Sequence, residues 1–179
     1  MGDIMDFNFD QYALLTSLRD FKLRVITGDV MLFIRPEAIS KFKKELNFIQ
    51  ENFPGDIITG SLALSLYGLL SRPISDIDII IPDKSRYDSY HTSMYGTDSN
   101  NAGIDRGSLG YRMFEYKRNW FFKDEYKVDF FENNSAFFNE FIYKGSVLKV
   151  HSCLDILDEK LSLVQPFSKH ASDLNRILK

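Results

Sequence analysis

Apolar positions along this chain fall into two periods, helical and extended, and the two alternate. Gln11 to Phe21 groups Leu14, Leu15 and Leu18 on one side, which predicts a helix. Leu23 to Ile34 sets apolar residues on both sides of Gly28-Asp29, which predicts a short hairpin. Helical spacing returns from Pro36 to Asn52, where Ile39, Phe42, Leu46 and Ile49 share a side and Lys41, Lys43 and Lys44 are left for the outside. Pro36 suits a first helical turn, where its missing N–H costs nothing, and Pro54-Gly55 ends the helix. A short strand over Asp56 to Thr59, a short helix over Leu62 to Leu70 and a strand over Asp76 to Ile81, stopped by Pro82, follow in quick succession.

The pattern then lapses. Asp83 to Gly107 is rich in Ser, Asp, Asn, Tyr and Gly and predicts a long loop, with Tyr87, Tyr90 and Tyr95 as candidates for stacking on a base. Tyr111 to Asn119 and Lys127 to Glu132 predict strands on either side of a turn near Lys123-Asp124-Glu125, and Ser146 to Val150 a last short strand. Ser152 is placed to cap a helix whose stripe is Leu154, Leu157, Leu161 and Val164. Pro166 breaks that helix, and Ser168 is placed to cap a final one carrying Leu174, Ile177 and Leu178. The expected organisation is one compact α+β domain: an N-terminal extension over 1–35 packed on a core over 36–150, and a C-terminal helical segment over 151–179.

Composition narrows the class. At 44% hydrophobic over 179 residues the chain supports a sizeable core. Its net charge of −3 exerts no global pull toward nucleic acid. Arg106 to Lys127 holds six Lys/Arg against three Asp/Glu, a modest local excess that a solvated face explains better than an RNA contact does. The single cysteine, Cys153, excludes an intrachain disulfide and a cysteine-based zinc site. No apolar run reaches membrane-spanning length and the N-terminus lacks a signal-peptide pattern, so the expected location is the cytoplasm, with no membrane partner. His91, His151 and His170 have no ligand-like spacing.

The candidate chemistry lies in one stretch. On a strand, Asp76 and Asp78 point to the same face and Ile77, Ile79 and Ile81 to the other. Like charges so close raise each other's pKa unless a cation neutralises them, and Mg²⁺ takes one or two carboxylates together with phosphates and waters. Taken alone, the pair also fits a solvated strand end. Two further features shift the balance. Gly60-Ser61 sits at a strand-to-helix turn, where glycine lets backbone approach a ligand and helix N–H groups face phosphate. Asp129 interrupts the apolar strand Lys127-Val128-Asp129-Phe130-Phe131, where an acid is costly without a role or an ion-pair partner. Arg72 is available to pair with the acids or to reach a phosphate.

Gly60, Ser61, Ala63, Leu64, Gly68, Arg72, Ser75, Asp76 and Asp78, followed by Asp129 on a later strand, resemble the signature of the DNA polymerase β-like nucleotidyltransferase superfamily. The finer pattern is similar to its stand-alone bacterial and phage branch, which includes AbiEii-type toxins of toxin–antitoxin and phage-defence systems and minimal nucleotidyltransferases. The resemblance implies a nucleotidyltransferase fold, a mixed β-sheet flanked by helices with C-terminal helices. It implies an enzyme that moves a nucleoside monophosphate from a nucleoside triphosphate such as ATP to an acceptor hydroxyl on RNA or tRNA, protein or a small molecule, releasing pyrophosphate. Asp76, Asp78 and Asp129 would hold two Mg²⁺ ions, with Mn²⁺ as a substitute, and Asp129 would assist deprotonation of the acceptor. Gly60, Ser61 and Arg72 would hold the nucleotide, Lys160 would contact its phosphates, and Asp173 would be the acid of the last motif. The arginine that follows the lysine in that branch has no counterpart in Leu163 to Phe167. A second reading is an inactive relative that binds nucleotide or a partner protein. A homodimer or a partner protein would complete the acceptor site, since the chain has no second domain large enough to bind a long acceptor alone.

Overall fold

The computed structural model describes residues 2–74, 76–95, 106–108, 111–115, 127–164 and 168–178. The chain opens with α1 (Gly2–Ile26), whose buried Leu14, Leu18 and Phe21 anchor it to the core. The hairpin expected over Leu23 to Ile34 does not form. The helix runs on to Ile26, and the chain reverses through Gly28 at φ +87°. Val30, Leu32 and Ile34 pack against the core while Met31 and Phe33 between them are exposed, an extended alternation that forms no strand. The long helix expected next is two helices, α2 (Pro36–Lys41) and α3 (Lys43–Asn52), broken at Phe42 with φ −104° and ψ 26°. Leu46 and Ile49 are fully buried, each contributing roughly 2 kcal/mol of apolar transfer.

Next come β1 (Ile57–Thr59), α4 (Gly60–Leu66), β2 (Asp76–Ile81) and α5 (Lys84–Tyr95). The last of these corrects the loop expected from Asp83: its first half is a helix. Tyr87 is buried there and packs edge-on against Phe130, while Tyr90 stacks on Phe130 and meets Phe53 edge-on. Both rings belong to the core and are not offered to a base; the Tyr95 side chain lies outside the described residues. The remaining strands are β3 (Arg106–Ser108), β4 (Tyr111–Glu115), β5 (Lys127–Glu132), β6 (Phe138–Tyr143) and β7 (Ser146–His151). The turn expected near Lys123-Asp124-Glu125 lies outside the described residues. The chain ends in α6 (Cys153–Ser162) and α7 (Ser168–Ile177). Ser152 stands at the N-cap position of α6 without a capping hydrogen bond, and Ser168 is the first residue of α7 rather than its cap.

The described strands form one mixed sheet in the order β3-β4-β5-β2-β1-β7-β6. β2 and β5 are parallel, as are β1 and β7, and the other neighbours are antiparallel. One face carries Ile58, Ile77, Ile79, Ile81, Val128, Phe130, Leu148 and Val150, all buried in the core beneath the helices. β6 had no strong apolar alternation to announce it. It is an edge strand with mostly exposed side chains, joined to β7 through Lys144 and Gly145 at φ 48° and 78°. Among the described residues no helix is long and apolar enough to cross a membrane.

Candidate active site

The face opposite the core carries the polar residues. β2 buries Ile77 and Ile79 and leaves Asp76 and Asp78 half-buried on the other side. Parallel pairing sets Asp129 of β5 directly beside Asp78, and antiparallel pairing sets Thr59 of β1 on the other side of Asp78. Adjacent strands lie about 4.8 Å apart, so Asp78 and Asp129 are neighbours across the ladder and share a face. Oδ1 of Asp129 is shut away from solvent. Asp76 stands two residues earlier on the same face, in register with Lys127.

Gly60 closes this row from α4. Its φ is +67°, and a Cβ there would lie 2.1 Å from Oδ2 of Asp78. The Asp78 carboxylate therefore rests directly on the glycine α-carbon, and no larger residue leaves it room. Ser61, the next residue, accepts a hydrogen bond from Nη2 of Arg72 at 2.7 Å.

Arg72 ties this turn to the C-terminus. Its Nε donates to Oδ1 of Asp173 at 3.1 Å and its Nη2 to Oδ2 at 3.0 Å, a two-pronged contact. Lys160 donates to the same Oδ2 at 3.1 Å and lies 3.3 Å from Nδ1 of His170. Lys160 and Asp173 are both buried. Burial alone would raise the Asp173 pKa, but the hydrogen bonds and charges of Arg72 and Lys160 outweigh it and hold the carboxyl below its usual value. Burial pushes Lys160 down, and the Asp173 carboxylate offsets only part of that. Arg72 is pushed up by its hydrogen bonds to Asp173, with smaller contributions from Asp78 and Asp76. The arginine thus stands in the field of the strand carboxylates while its hydrogen bonds go to Asp173 and Ser61.

The fold brings together Gly60 and Ser61 of α4, Arg72 of the segment after it, Lys160 of α6 and Asp173 of α7, and it sets Asp78 beside Asp129. It does not gather a ready-made metal cage: among the described residues no group of three or more His, Cys, Asp or Glu is placed to hold an ion. The donor set is nonetheless a hard-cation one. Two carboxylates stand side by side, a third follows on the same face, and Mg²⁺ needs no more than one or two of them when phosphates and water complete its shell.

Two residues of this face carried no sequence signal. Thr59 is buried at the N-cap position of α4 but makes no cap; its hydroxyl instead meets Nδ1 of buried His151 at 2.9 Å. His151 is in turn pinned through its carbonyl, which accepts from the Tyr67 hydroxyl at 2.9 Å. Burial lowers the His151 pKa and keeps the ring neutral. Its partner lies in a distant strand, so spacing along the chain could not reveal it; only the β1–β7 pairing does.

No protein-family model matches the chain, and no curated protein matches it. Among solved structures, the chain is similar to a protein from Thermotoga maritima described as a "putative nucleotidyltransferase". The two are 18% identical with a TM-score of 0.50, over 82% of this chain and 95% of the other. At that identity the likeness speaks for the fold: this chain has the α+β nucleotidyltransferase fold, a mixed sheet flanked by helices.

Proposed function

We propose that this chain is a metal-dependent nucleotidyltransferase whose site is the row of carboxylates on β2 and β5 beside the Gly60-Ser61 turn. The observation that carries the reading is the register of Asp78 against Asp129, with Gly60 bare beneath the Asp78 carboxylate. Two acids alone would be a solvated strand. Two acids from different strands, abutting a turn that only glycine can make and a serine fixed by an arginine, form a place for a polyphosphate and its counter-ions.

Asp76, Asp78 and Asp129 would hold two Mg²⁺ ions, which when bound neutralise these acids and stabilise the attacking and leaving oxygens. Gly60 gives the nucleotide close access to backbone, and Ser61 and Arg72 orient its β- and γ-phosphates. Asp129 accepts the proton of the acceptor hydroxyl as that oxygen bonds to the α-phosphorus. The bond from the α-phosphorus to its bridging oxygen breaks, and pyrophosphate leaves.

The test is incubation with labelled nucleoside triphosphates, Mg²⁺, and total RNA and protein as acceptors. The wild type labels one acceptor class. Asp129→Asn, which keeps size and removes the base, lowers labelling by on the order of 10²-fold or more without unfolding the chain. Undiminished turnover in that variant would sink the assignment. Metal-dependent triphosphate binding with no labelled acceptor would instead identify a binding module.

A further inference from the structure

We propose that Asp173 is a positioning residue for the phosphate site, acting through Arg72 on Ser61; the proposal rests on the nucleotidyltransferase reading above. Asp173 itself is turned inward, with a side chain only 7% exposed, and both its oxygens are in use. Oδ1 accepts from Nε of Arg72, and Oδ2 accepts from Nη2 of Arg72 and from Lys160. Two parallel bonds to a planar guanidinium fix its plane as well as its position, which a single contact does not.

The consequence runs outward from the carboxylate. Nη2 has two hydrogens; one goes to Asp173 and the other to Oγ of Ser61 at 2.7 Å. The two hydrogens of Nη1 lie outside this set. The Ser61 hydroxyl, accepting from Arg72, keeps its one proton to donate to a further acceptor. The helix at the end of the chain therefore sets the donor direction of a residue at the start of α4, next to Gly60. A phosphate arriving there meets a guanidinium edge and an O–H already aimed, and the ordering cost is met before binding.

Lys160 takes a different role from Arg72 in this arrangement. Its side chain is 8% exposed, against 34% for Arg72, and it bonds to Asp173 and His170. It supports the carboxylate that supports the arginine. Of the two cations, Arg72 is the one placed to touch ligand.

The experiment is calorimetric titration of the full chain with inorganic tripolyphosphate at fixed ionic strength. Asp173→Asn, which cannot accept from both Arg72 nitrogens and Lys160 at once, binds roughly tenfold more weakly than wild type. Ser61→Ala weakens binding several-fold in the wild type but adds little to Asp173→Asn, because the hydroxyl has already lost its orientation. A merely structural Asp173 would lower the melting temperature and leave both the affinity of the folded protein and the cost of Ser61→Ala unchanged. Unchanged or tighter binding by Asp173→Asn, or full additivity with Ser61→Ala, overturns the proposal. Should Asp173→Asn fail to fold, Arg72→Lys decides: it alters a partly exposed residue, keeps the charge and loses the paired bonds, and wild-type affinity there overturns the proposal too. A wild type that does not bind tripolyphosphate removes the phosphate site, and with it the reading beneath. Binding by the wild type with indifference to Asp173 removes the positioning role alone.

Discussion

Gly60 meets two demands at once, and either would exclude a side chain. Its φ of +67° lies in the left-handed region, and the carboxylate of Asp78 occupies the space a Cβ would take. The first demand costs an L-residue on the order of 1–2 kcal/mol. The second is worse, because 2.1 Å is less than any real Cβ contact and the obstructing group is the acid proposed to hold metal. Gly60→Ala is therefore expected to move Asp78 as well as strain the turn. In titrations with Mn²⁺ as a spectroscopic probe, the variant binds at least several-fold more weakly than wild type while remaining folded by circular dichroism. Gly55→Ala serves as the control: its φ is also positive, at +86°, but nothing lies near its Cβ. It loses stability and keeps Mn²⁺ affinity. Equal Mn²⁺ binding by Gly60→Ala would show that the Asp78–Gly60 contact does not serve the site.

Among the elements, β2 was the most legible in the sequence and α5 the least, for opposite physical reasons. Asp76 to Ile79 alternates acid and isoleucine and Pro82 stops the strand, so pattern alone indicated its two faces and the placement of both aspartates. α5 has no apolar stripe to read. Its inward face is made of Tyr87 and Tyr90, which look like polar loop residues until their partners are known. Those partners are Phe130 and Phe53 for the rings and buried Asp56 for the Tyr90 hydroxyl, all distant in sequence. The same distance effect hid the Thr59–His151 pair and left Lys160 and Asp173 to resemblance alone, since only the folded chain shows Asp173 held between Lys160 and Arg72. Asp56 is 3% exposed and accepts from Tyr90 and, at 3.2 Å, from Arg86, so both donors fasten α5 to the start of β1. Burial and the Asp56 bond push the Tyr90 hydroxyl up to about 12, so it stays a donor throughout the working range. Tyr90→Phe keeps the ring packing and removes one of these donors. It should cost about 1–3 kcal/mol in urea denaturation, with little change in triphosphate affinity, because this tie lies away from the carboxylate row. A loss under a few tenths of a kcal/mol would mean that Arg86 alone satisfies Asp56.

For the whole molecule, stability against pH reflects buried ionisable groups that pull in opposite directions. Asp173, held down by Arg72 and Lys160, favours the folded state above the ordinary carboxylate range; that contribution fades as pH falls through its lowered folded value. His151, buried and neutral, likewise contributes above its unfolded value near 6.5 and loses that contribution on acidification. Glu159 acts the other way. Burial, with a smaller push from Asp155 and partial relief from Lys160, raises its carboxyl from 4.5 to about 7. A raised folded value means that the folded chain binds this proton more tightly than the unfolded chain does. The associated stability is complete below pH 4.5 and is lost as pH climbs through 7. Glu159→Gln removes that proton-linked term while keeping the size of the side chain. The variant and the wild type should therefore unfold at similar urea concentrations near pH 4, and the variant should be more stable by on the order of 1–2 kcal/mol near pH 8. The difference grows across the interval where His151 and Asp173 act equally on both proteins and so cancel. A stability difference that does not change with pH would place the Glu159 carboxylate in contact with water and would remove it as the source of the alkaline loss of stability.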